Sequence, residues 1–248
     1  MFLTPILFIA HDAISAKFTR HDEFVKPDDH IDQTGHKVIL AGFGRLGTDL
    51  GRLLISAGIK PVIIDNDATN VDVLRGFGFE VYYGDMTRLD LLEAAGAEEA
   101  ELIVVTVGDT EKVLTLIELT KKHYPHLKIA ASASDRAAVY DLMDQGITTL
   151  RRETFDSALA LGQDVLEMLG LNPYEAYKRT RLFKKKDEEI LPELYQIHRH
   201  EDTSVYVSKY QKHNDDLGKL LRIDEDADFQ EIDLAWAGVR EKEELSKS

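Results

Sequence analysis

The sequence predicts an α/β protein in which a doubly wound parallel sheet of about six strands is followed by C-terminal helices. From residue 37 onward, short β-branched apolar runs alternate with amphipathic stretches of about 10 to 15 residues, the pattern of βαβ units. A glycine motif follows the first apolar run directly and opens the next amphipathic stretch. With 248 residues and 44% hydrophobic content, the chain can bury a sizeable core. Together these features are typical of a Rossmann-type domain.

The individual elements are predicted by apolar runs and by helix boundary signals. The predicted strands are Lys37–Ala41, Pro61–Asp65, Glu80–Tyr83, Leu102–Val107, Lys128–Ser132 and Thr148–Leu150. Helix starts are indicated by Asp109, Asp135 and the capping pair Thr87 and Asp90, and helix ends by Gly58, Gly96 and Gly146. After the last strand, helices are predicted over Phe155–Leu169 and from Tyr174 to about Glu188.

Four segments are expected along the chain. Residues 1–35 begin with ten almost wholly apolar residues, too few to span a membrane alone, and continue as a polar linker. We expect the cytoplasmic end of a transmembrane helix there, or else a leftover of expression without meaning. Residues 36–150 form the nucleotide-binding domain, 151–190 a helical dimerisation and ligand segment, and 191–248 a C-terminal extension.

Charge and cysteine content exclude several functions. The formal net charge is −15, which argues against nucleic acid as a partner, and the absence of cysteine excludes disulfides, thiolate metal sites and a cysteine nucleophile. Residues 151–186 are the exception, with 8 basic and 5 acidic side chains. This segment is either a site for a small anion or acidic partner, or a solvated helix face.

The motif Gly42-Phe43-Gly44-Arg45-Leu46-Gly47 has the context that dinucleotide binding requires, between a strand and a helix. The helix N-terminus offers free N–H groups to a phosphate. Asp65 ends the second strand 18 residues later, where it can accept hydrogen bonds from ribose hydroxyls and repel a 2′-phosphate. Nucleotide binding is favoured over a glycine-rich packing turn.

No catalytic constellation accompanies this motif. The sequence lacks the GxSxG, HExxH and GxxxxGK[ST] patterns. His198 and His200 could offer two imidazoles to a metal, but alternation in a possible strand also explains their spacing, so no metal site is predicted. We therefore expect a regulatory or structural nucleotide and no enzyme, with a soluble NAD-dependent oxidoreductase as the alternative.

Several motifs together resemble the cytoplasmic KTN (RCK-type, TrkA-N) domain of the Kef glutathione-gated potassium efflux systems, over about residues 36–190. They are the glycine motif with Gly51-Arg52, Leu74-Arg75-Gly76-Phe77-Gly78, Tyr83-Gly84-Asp85, Leu91–Gly96, Tyr124–Leu127, Arg152-Glu153-Thr154-Phe155 and Leu169–Ala176. The resemblance is weak after about residue 190.

The resemblance implies a homodimeric regulatory domain on the transmembrane domain of a potassium/proton antiporter, at the cytoplasmic face of a bacterial inner membrane. It also implies a possible flavoprotein ancillary subunit. Glutathione would hold the transporter closed and its adducts would open it. The implied cofactor is AMP or NAD(H), at Gly42, Gly44, Arg45, Leu46, Gly47, Asp65, Asn66, Asp85 and Met86.

A glutathione site should offer at least two cationic forks for its carboxylates. Arg52 lies seven residues after Arg45, about 10 Å of helical rise, too far to serve the same phosphate. By resemblance, Arg52 and Arg152 match glutathione-binding arginines. Asp187 aligns where the family usually has asparagine, and Phe77 resembles a family aromatic.

Structural alternatives remain open for these glutathione candidates. Arg52 can pair with Asp49, and Arg152 can cap Glu153 or Asp156. For Phe77, core packing is the favoured interpretation.

Overall fold

The computed structural model describes residues 36–222. The expected transmembrane stub and linker at 1–35, and residues 223–248 of the C-terminal extension, lie outside the described residues. The chain forms two compact units, with the boundary between Ala131 and Ser132. Each unit is described by itself.

The strands form one six-stranded sheet in the order β3-β2-β1-β4-β5-β6. They are β1 (Val38–Ala41), β2 (Val62–Asp65), β3 (Val81–Tyr83), β4 (Leu102–Val105), β5 (Lys128–Ala133) and β6 (Thr149–Arg152). The pairs β1–β2, β1–β4, β2–β3 and β4–β5 are parallel. This is the order of a doubly wound Rossmann sheet, so the predicted fold class is confirmed. The order reverses between β1 and β4, where such sheets bind ligands.

The first unit contains helices α1 (Arg45–Ser56), α2 (Ala68–Gly76), α3 (Leu89–Ala94) and α4 (Thr110–His123). The predicted cap at Asp109 is confirmed, because its carboxylate accepts hydrogen bonds from the N–H groups of Glu111 and Lys112. The predicted Thr87–Asp90 capping pair is wrong. Asp90 instead accepts hydrogen bonds from Arg88, the residue that precedes α3.

The core of the first unit joins the sheet to α1 and α2. Phe43 is fully buried and meets Phe79 edge to face, with ring centroids 5.2 Å apart. Leu50 and Leu54 pack against this cluster. Leu53 belongs to the same apolar pattern in the sequence but is exposed. Burying these apolar side chains fixes α1 on the sheet and therefore fixes the glycine loop that precedes it.

The second unit contains α5 (Arg136–Asp144), α6 (Phe155–Met168), α7 (Pro173–His200) and α8 (Thr203–Arg222), with β6 between α5 and α6. Asp135 caps α5 through the Ala138 N–H, as predicted. Gly146 and Gly170 have positive φ values of 65° and 100° at helix ends. The predicted helix over 155–169 matches α6 closely.

The prediction that the next helix ends near Glu188 is wrong, as is the possible strand at His198 to His200. Helix α7 continues through Pro192 to His200. Its second half is anchored because Leu194 is fully buried and the His198 ring lies 4.9 Å from the Tyr140 ring. Among residues 36–222, no group of three or more histidine, aspartate or glutamate residues is arranged to hold a metal ion.

The unit boundary falls before α5, whereas the sequence suggested a division at residue 150, after the sheet. Side chains of α5 bind the C-terminal helices directly: the Tyr140 and Tyr206 hydroxyls are 3.1 Å apart, and Arg136 donates to Asp187. Within residues 36–222, no helix combines the length and apolar character needed to cross a membrane.

Candidate functional site

The glycine motif forms a tight loop between β1 and α1. Gly42 has φ of +91°, and a Cβ there would lie 2.9 Å from the Thr106 backbone. A Cβ on Gly47 would lie 2.2 Å from the Gly42 carbonyl oxygen. A Cβ on Gly44 would meet no atom within 4 Å. Protein packing therefore requires Gly42 and Gly47, whereas Gly44 leaves the loop surface open to approach from outside.

Side chains from three other elements hold this loop in place. The Phe43 N–H donates to Asp65 Oδ2 at 2.5 Å, and Thr106 Oγ1 donates to the Gly42 carbonyl at 2.6 Å. Asn70 Nδ2 donates to the Phe43 carbonyl at 3.1 Å. Sequence reasoning missed Thr106 and Asn70. The position of Thr106 near the end of the predicted strand Leu102–Val107 could have indicated it, because the carboxyl ends of parallel strands meet at one edge.

Asp65 serves the fold as well as the predicted ligand. The residue is buried at 8% exposure, and its two carboxylate oxygens accept hydrogen bonds from the N–H groups of Phe43 and Asp67. Each carboxylate oxygen keeps a second acceptor position. The predicted ribose contact of Asp65 is therefore compatible with its structural role.

A narrow cleft of about 30 Å³ lies at this edge of the sheet. It is lined by Gly42, Ile64, Asp65, Asn66, Gly84, Asp85, Met86, Thr87, Val107, Lys112 and Leu116. Five of the nine predicted nucleotide residues meet there, namely Gly42, Asp65, Asn66, Asp85 and Met86. The other four, Gly44, Arg45, Leu46 and Gly47, lie in the loop and first turn of α1.

Two features of the cleft are relevant to an anionic ligand. Helix α1 has Gly44 as its N-cap residue and no side-chain cap, so its first N–H groups are available to a phosphate. Lys112 adds a cation to the lining, and the sequence reasoning missed it. Asp85 is fixed because its Oδ1 accepts from both the N–H and the hydroxyl of Thr87, at 3.0 and 2.8 Å.

A second polar centre lies in the second unit, where Asp187 joins two arginines. Asp187 Oδ1 accepts a hydrogen bond from Arg136 Nη2, and Oδ2 accepts one from Arg152 Nη2. The side-chain exposures of Asp187, Arg136 and Arg152 are 12%, 15% and 20%. Burial opposes the charge of Arg136, but Asp187 and Tyr140 outweigh it and raise the pKa of the guanidinium. Sequence reasoning missed Arg136, although it brought Arg152 and Asp187 into one site.

The surroundings of Arg152 differ from the structural alternatives raised by the sequence. Glu153 accepts a hydrogen bond from Ser132, and Asp156 is paired with Lys184. The Arg152 guanidinium instead lies 3.6 Å from the centre of the Phe155 ring. Arg152, Phe155 and Asp187 line an open cavity of about 370 Å³, within the range of small-molecule sites.

The two remaining glutathione candidates lie in the first unit. Arg52 is 67% exposed, and its Nη1 lies 3.8 Å from Asp49 Oδ1, the weak pairing anticipated as an alternative. Phe77 is 77% exposed at the end of α2, so the expectation that it packs in the core is wrong. Both side chains are accessible to a ligand.

Comparison with known families divides the chain after β6, near the division at residue 150 that the sequence suggested and about 20 residues after the boundary between the two structural units. Residues 38–152 match the TrkA-N domain family, and residues 157–235 match the family described as the potassium efflux system KefB C-terminal domain. The second match extends well past residue 190, so the expectation that the family resemblance fades there is wrong.

Individual relatives agree with these family matches. The glutathione-regulated potassium-efflux system protein KefC of Escherichia coli O139:H28 is 38% identical over 97% of this chain, and so is KefC of Shigella boydii serotype 18. The chain spans 38% of the length of each.

A solved structure of the Kef C-terminal domain of Shewanella denitrificans, in AMP-bound form, is also similar. It is 41% identical, with a TM-score of 0.60, and the match covers 66% of this chain and 99% of that one. The chain therefore belongs to the family of KTN regulatory domains of the Kef potassium efflux systems.

Proposed function

We propose that this chain is the ligand-gated regulatory domain of a glutathione-regulated potassium/proton antiporter and does not catalyse a reaction. The observation that carries this proposal is the presence of two separate polar centres, the glycine loop in one unit and the Asp187 cluster in the other. The first fits a nucleotide and the second an anionic ligand. A regulator that combines a fixed cofactor with an exchangeable effector needs two such sites.

The nucleotide is an adenine nucleotide with free ribose hydroxyls, AMP or NAD(H). Gly44 and the uncapped start of α1 would receive the phosphate, and Asp65 with Asn66 the ribose. The AMP-bound form of the Shewanella denitrificans relative supports AMP among the candidates.

The effector is glutathione or a glutathione adduct. Arg152, supported on Phe155 beside the 370 Å³ cavity, would bind one of its carboxylates. Arg52 and Phe77 remain the other proposed contacts, whereas Asp187, which the sequence also suggested as a contact, already accepts a hydrogen bond from Arg152. Arg52 lies in the first unit and Arg152 in the second, so the contribution of each is tested separately.

The domain is proposed to be a homodimer held together by α6. None of the 14 residues of this helix is buried in the single chain, although the helix is largely apolar. Its large exposed apolar side chains are Leu161, Val165 and Met168, with Leu169 just beyond its end. A groove of about 500 Å³ lies beside the helix, lined by Leu159, Val165, Leu166 and Phe183 among others. A second copy of the chain would cover this surface.

The remaining proposed partners are those that the family resemblance implies. The transmembrane antiporter domain would belong to the full-length protein, which places this domain at the cytoplasmic face of a bacterial inner membrane. A flavoprotein ancillary subunit is a further proposed partner. The name KefC of the relatives supports potassium as the transported ion.

Mass spectrometry of small molecules released from the purified protein, followed by calorimetric titration with glutathione, tests this function. We expect one adenine nucleotide per chain and saturable glutathione binding. An NAD-dependent oxidoreductase would instead change the absorbance of NADH when given its substrate. Retention of no nucleotide together with NADH turnover would overturn the proposal.

A further inference from the structure

We infer that Asp187 is an internal carboxylate that occupies Arg152, and that an anionic ligand must displace it, with Arg136 making the displacement possible. The inference rests on the proposed glutathione function and concerns the regulation of that site. It assigns roles to two side chains: Asp187 competes with the ligand, and Arg136 positions Asp187.

The geometry of the cluster supports competition. A carboxylate of glutathione would bind Arg152 through the same kind of charge-assisted hydrogen bond that Asp187 Oδ2 already makes with Arg152 Nη2. The Arg152 side chain is only 20% exposed and rests on Phe155, and Asp187 lines the same cavity, so we place the ligand carboxylate at the Nη2 position that Asp187 Oδ2 now holds. Ligand binding and the Asp187 contact are therefore in competition.

Arg136 determines what this displacement costs. A buried carboxylate left without a partner is strongly destabilising. Asp187 keeps its contact with Arg136 through Oδ1 when the Oδ2 contact with Arg152 is lost, so the displaced carboxylate is still paired. Without Arg136, Arg152 would be the only arginine of this cluster left to hold Asp187, and releasing it would be costly.

The charges of the cluster lead to the same conclusion. Within this cluster two guanidinium groups share one carboxylate, which leaves an excess positive charge at a mostly buried position. The other two carboxylates of the cavity lining, Asp156 and Glu188, are paired with Lys184. Arg136 Nη1 is also buried without a hydrogen-bond partner. One further anion beside Arg152 would balance this charge. Asp187 therefore occupies the cluster with its own carboxylate, but the cluster still attracts the carboxylate of a ligand.

Titration of glutathione into four proteins tests this inference: wild type, Asp187→Asn, Arg136→Ala and the double variant. Loss of the competing carboxylate should strengthen binding to Asp187→Asn by at least about tenfold, the factor of one charge-assisted hydrogen bond. Arg136→Ala should weaken binding by a similar factor. The double variant should bind about as tightly as Asp187→Asn, because Arg136 matters only while Asp187 is present.

Lys219→Ala is the matched charge control, since Lys219 is 70% exposed and does not line the cavity; its affinity should stay close to wild type. Circular dichroism melts report whether each variant is folded, and the double variant tests the inference if Asp187→Asn alone unfolds. Equal or weaker binding by folded Asp187→Asn and double variants would overturn the inference and leave the proposed function intact. Absence of binding in every protein would overturn the glutathione ligand, and this inference with it.

Discussion

The two polar centres of the molecule differ in how they satisfy their own hydrogen-bonding groups. In the first unit, Asp65, Asn70 and Thr106 hold the backbone of the glycine loop and leave Gly44 uncovered. In the second unit, Asp187 binds the guanidinium group of Arg152 itself. A nucleotide can enter the first centre without displacing any of these contacts, whereas we infer that a ligand of Arg152 replaces one. The first arrangement suits a resident cofactor, and the second suits a switch.

The largest effect is expected from the glycine loop. In Gly47→Ala the new Cβ would lie 2.2 Å from a backbone oxygen, so we expect a loss of about 3 kcal/mol in the free energy of unfolding and loss of nucleotide binding. Gly44→Ala is the matched control. Its free energy of unfolding should stay within about 0.5 kcal/mol of the wild-type value, but it should bind nucleotide at least about tenfold more weakly. Urea unfolding and calorimetry measure both, and equal stability of the two variants would contradict this account of the loop.

The second effect concerns the exposed helix of the second unit. Val165→Asp with Met168→Asp should convert the proposed dimer to a monomer, since a charge buried in an apolar interface is costly. The free energy of unfolding at low concentration should change little, because both side chains are exposed in the single chain. Light scattering measures the mass. Val205→Asp on α8 is the control, and a wild type already monomeric at micromolar concentration would refute the dimer.

A smaller effect is expected from the buried tyrosine pair of the second unit. Burial raises the pKa of Tyr140 above its ordinary value of 10.0, and the Tyr206 hydrogen bond raises it further. The unfolded chain therefore loses this proton first. The stability that Tyr140 contributes is complete below pH 10 and falls as the pH rises above it.

Tyr140→Phe should lose about 1 kcal/mol at pH 8, because the hydrogen bond to Tyr206 is removed. The variant should also show a shallower loss of stability between pH 9.5 and about 11. Urea midpoints across this range measure both effects, with Tyr210→Phe as the control. If the urea midpoints of wild type and Tyr140→Phe fall in parallel as the pH rises, the pKa of Tyr140 is not raised in the native state.

The smallest effect on stability is expected at Arg52. Its contact with Asp49 is long and exposed, so Arg52→Ala should leave the free energy of unfolding within about 0.5 kcal/mol of wild type. Glutathione affinity should nevertheless fall by about tenfold or more. Arg152→Ala should lower both the glutathione affinity and the free energy of unfolding, because it also removes a partner of buried Asp187. Unchanged glutathione affinity in Arg52→Ala would remove Arg52 from the site.

The sequence predicted the features that depend on neighbours in the chain. Gly42, Gly44 and Gly47 stand within six residues of one another, and the alternation of strands and helices predicted a doubly wound parallel sheet. Thr106 and Arg136 were missed because their partners, Gly42 and Asp187, are 64 and 51 residues away. Such pairings depend on tertiary structure, which no local pattern contains.

Two other features of the structure depart from the general preferences of their residue types. Aromatic side chains are usually buried, yet Phe77 lies at the exposed end of α2. Proline usually interrupts helices, yet α7 passes through Pro192 because Leu194 beyond it is anchored in the core. In both cases tertiary contacts, or their absence, outweigh the local preference.

The most direct test of the division between a resident cofactor and a displaceable effector is native mass spectrometry of the purified domain, titrated with glutathione. We predict a dimer that retains one adenine nucleotide per chain throughout and gains glutathione as the concentration rises. The Arg152→Ala variant should retain the nucleotide but gain no glutathione over the same range. Loss of the nucleotide on addition of glutathione would contradict the separation of the two sites. So would a purified Arg152→Ala variant that holds no nucleotide.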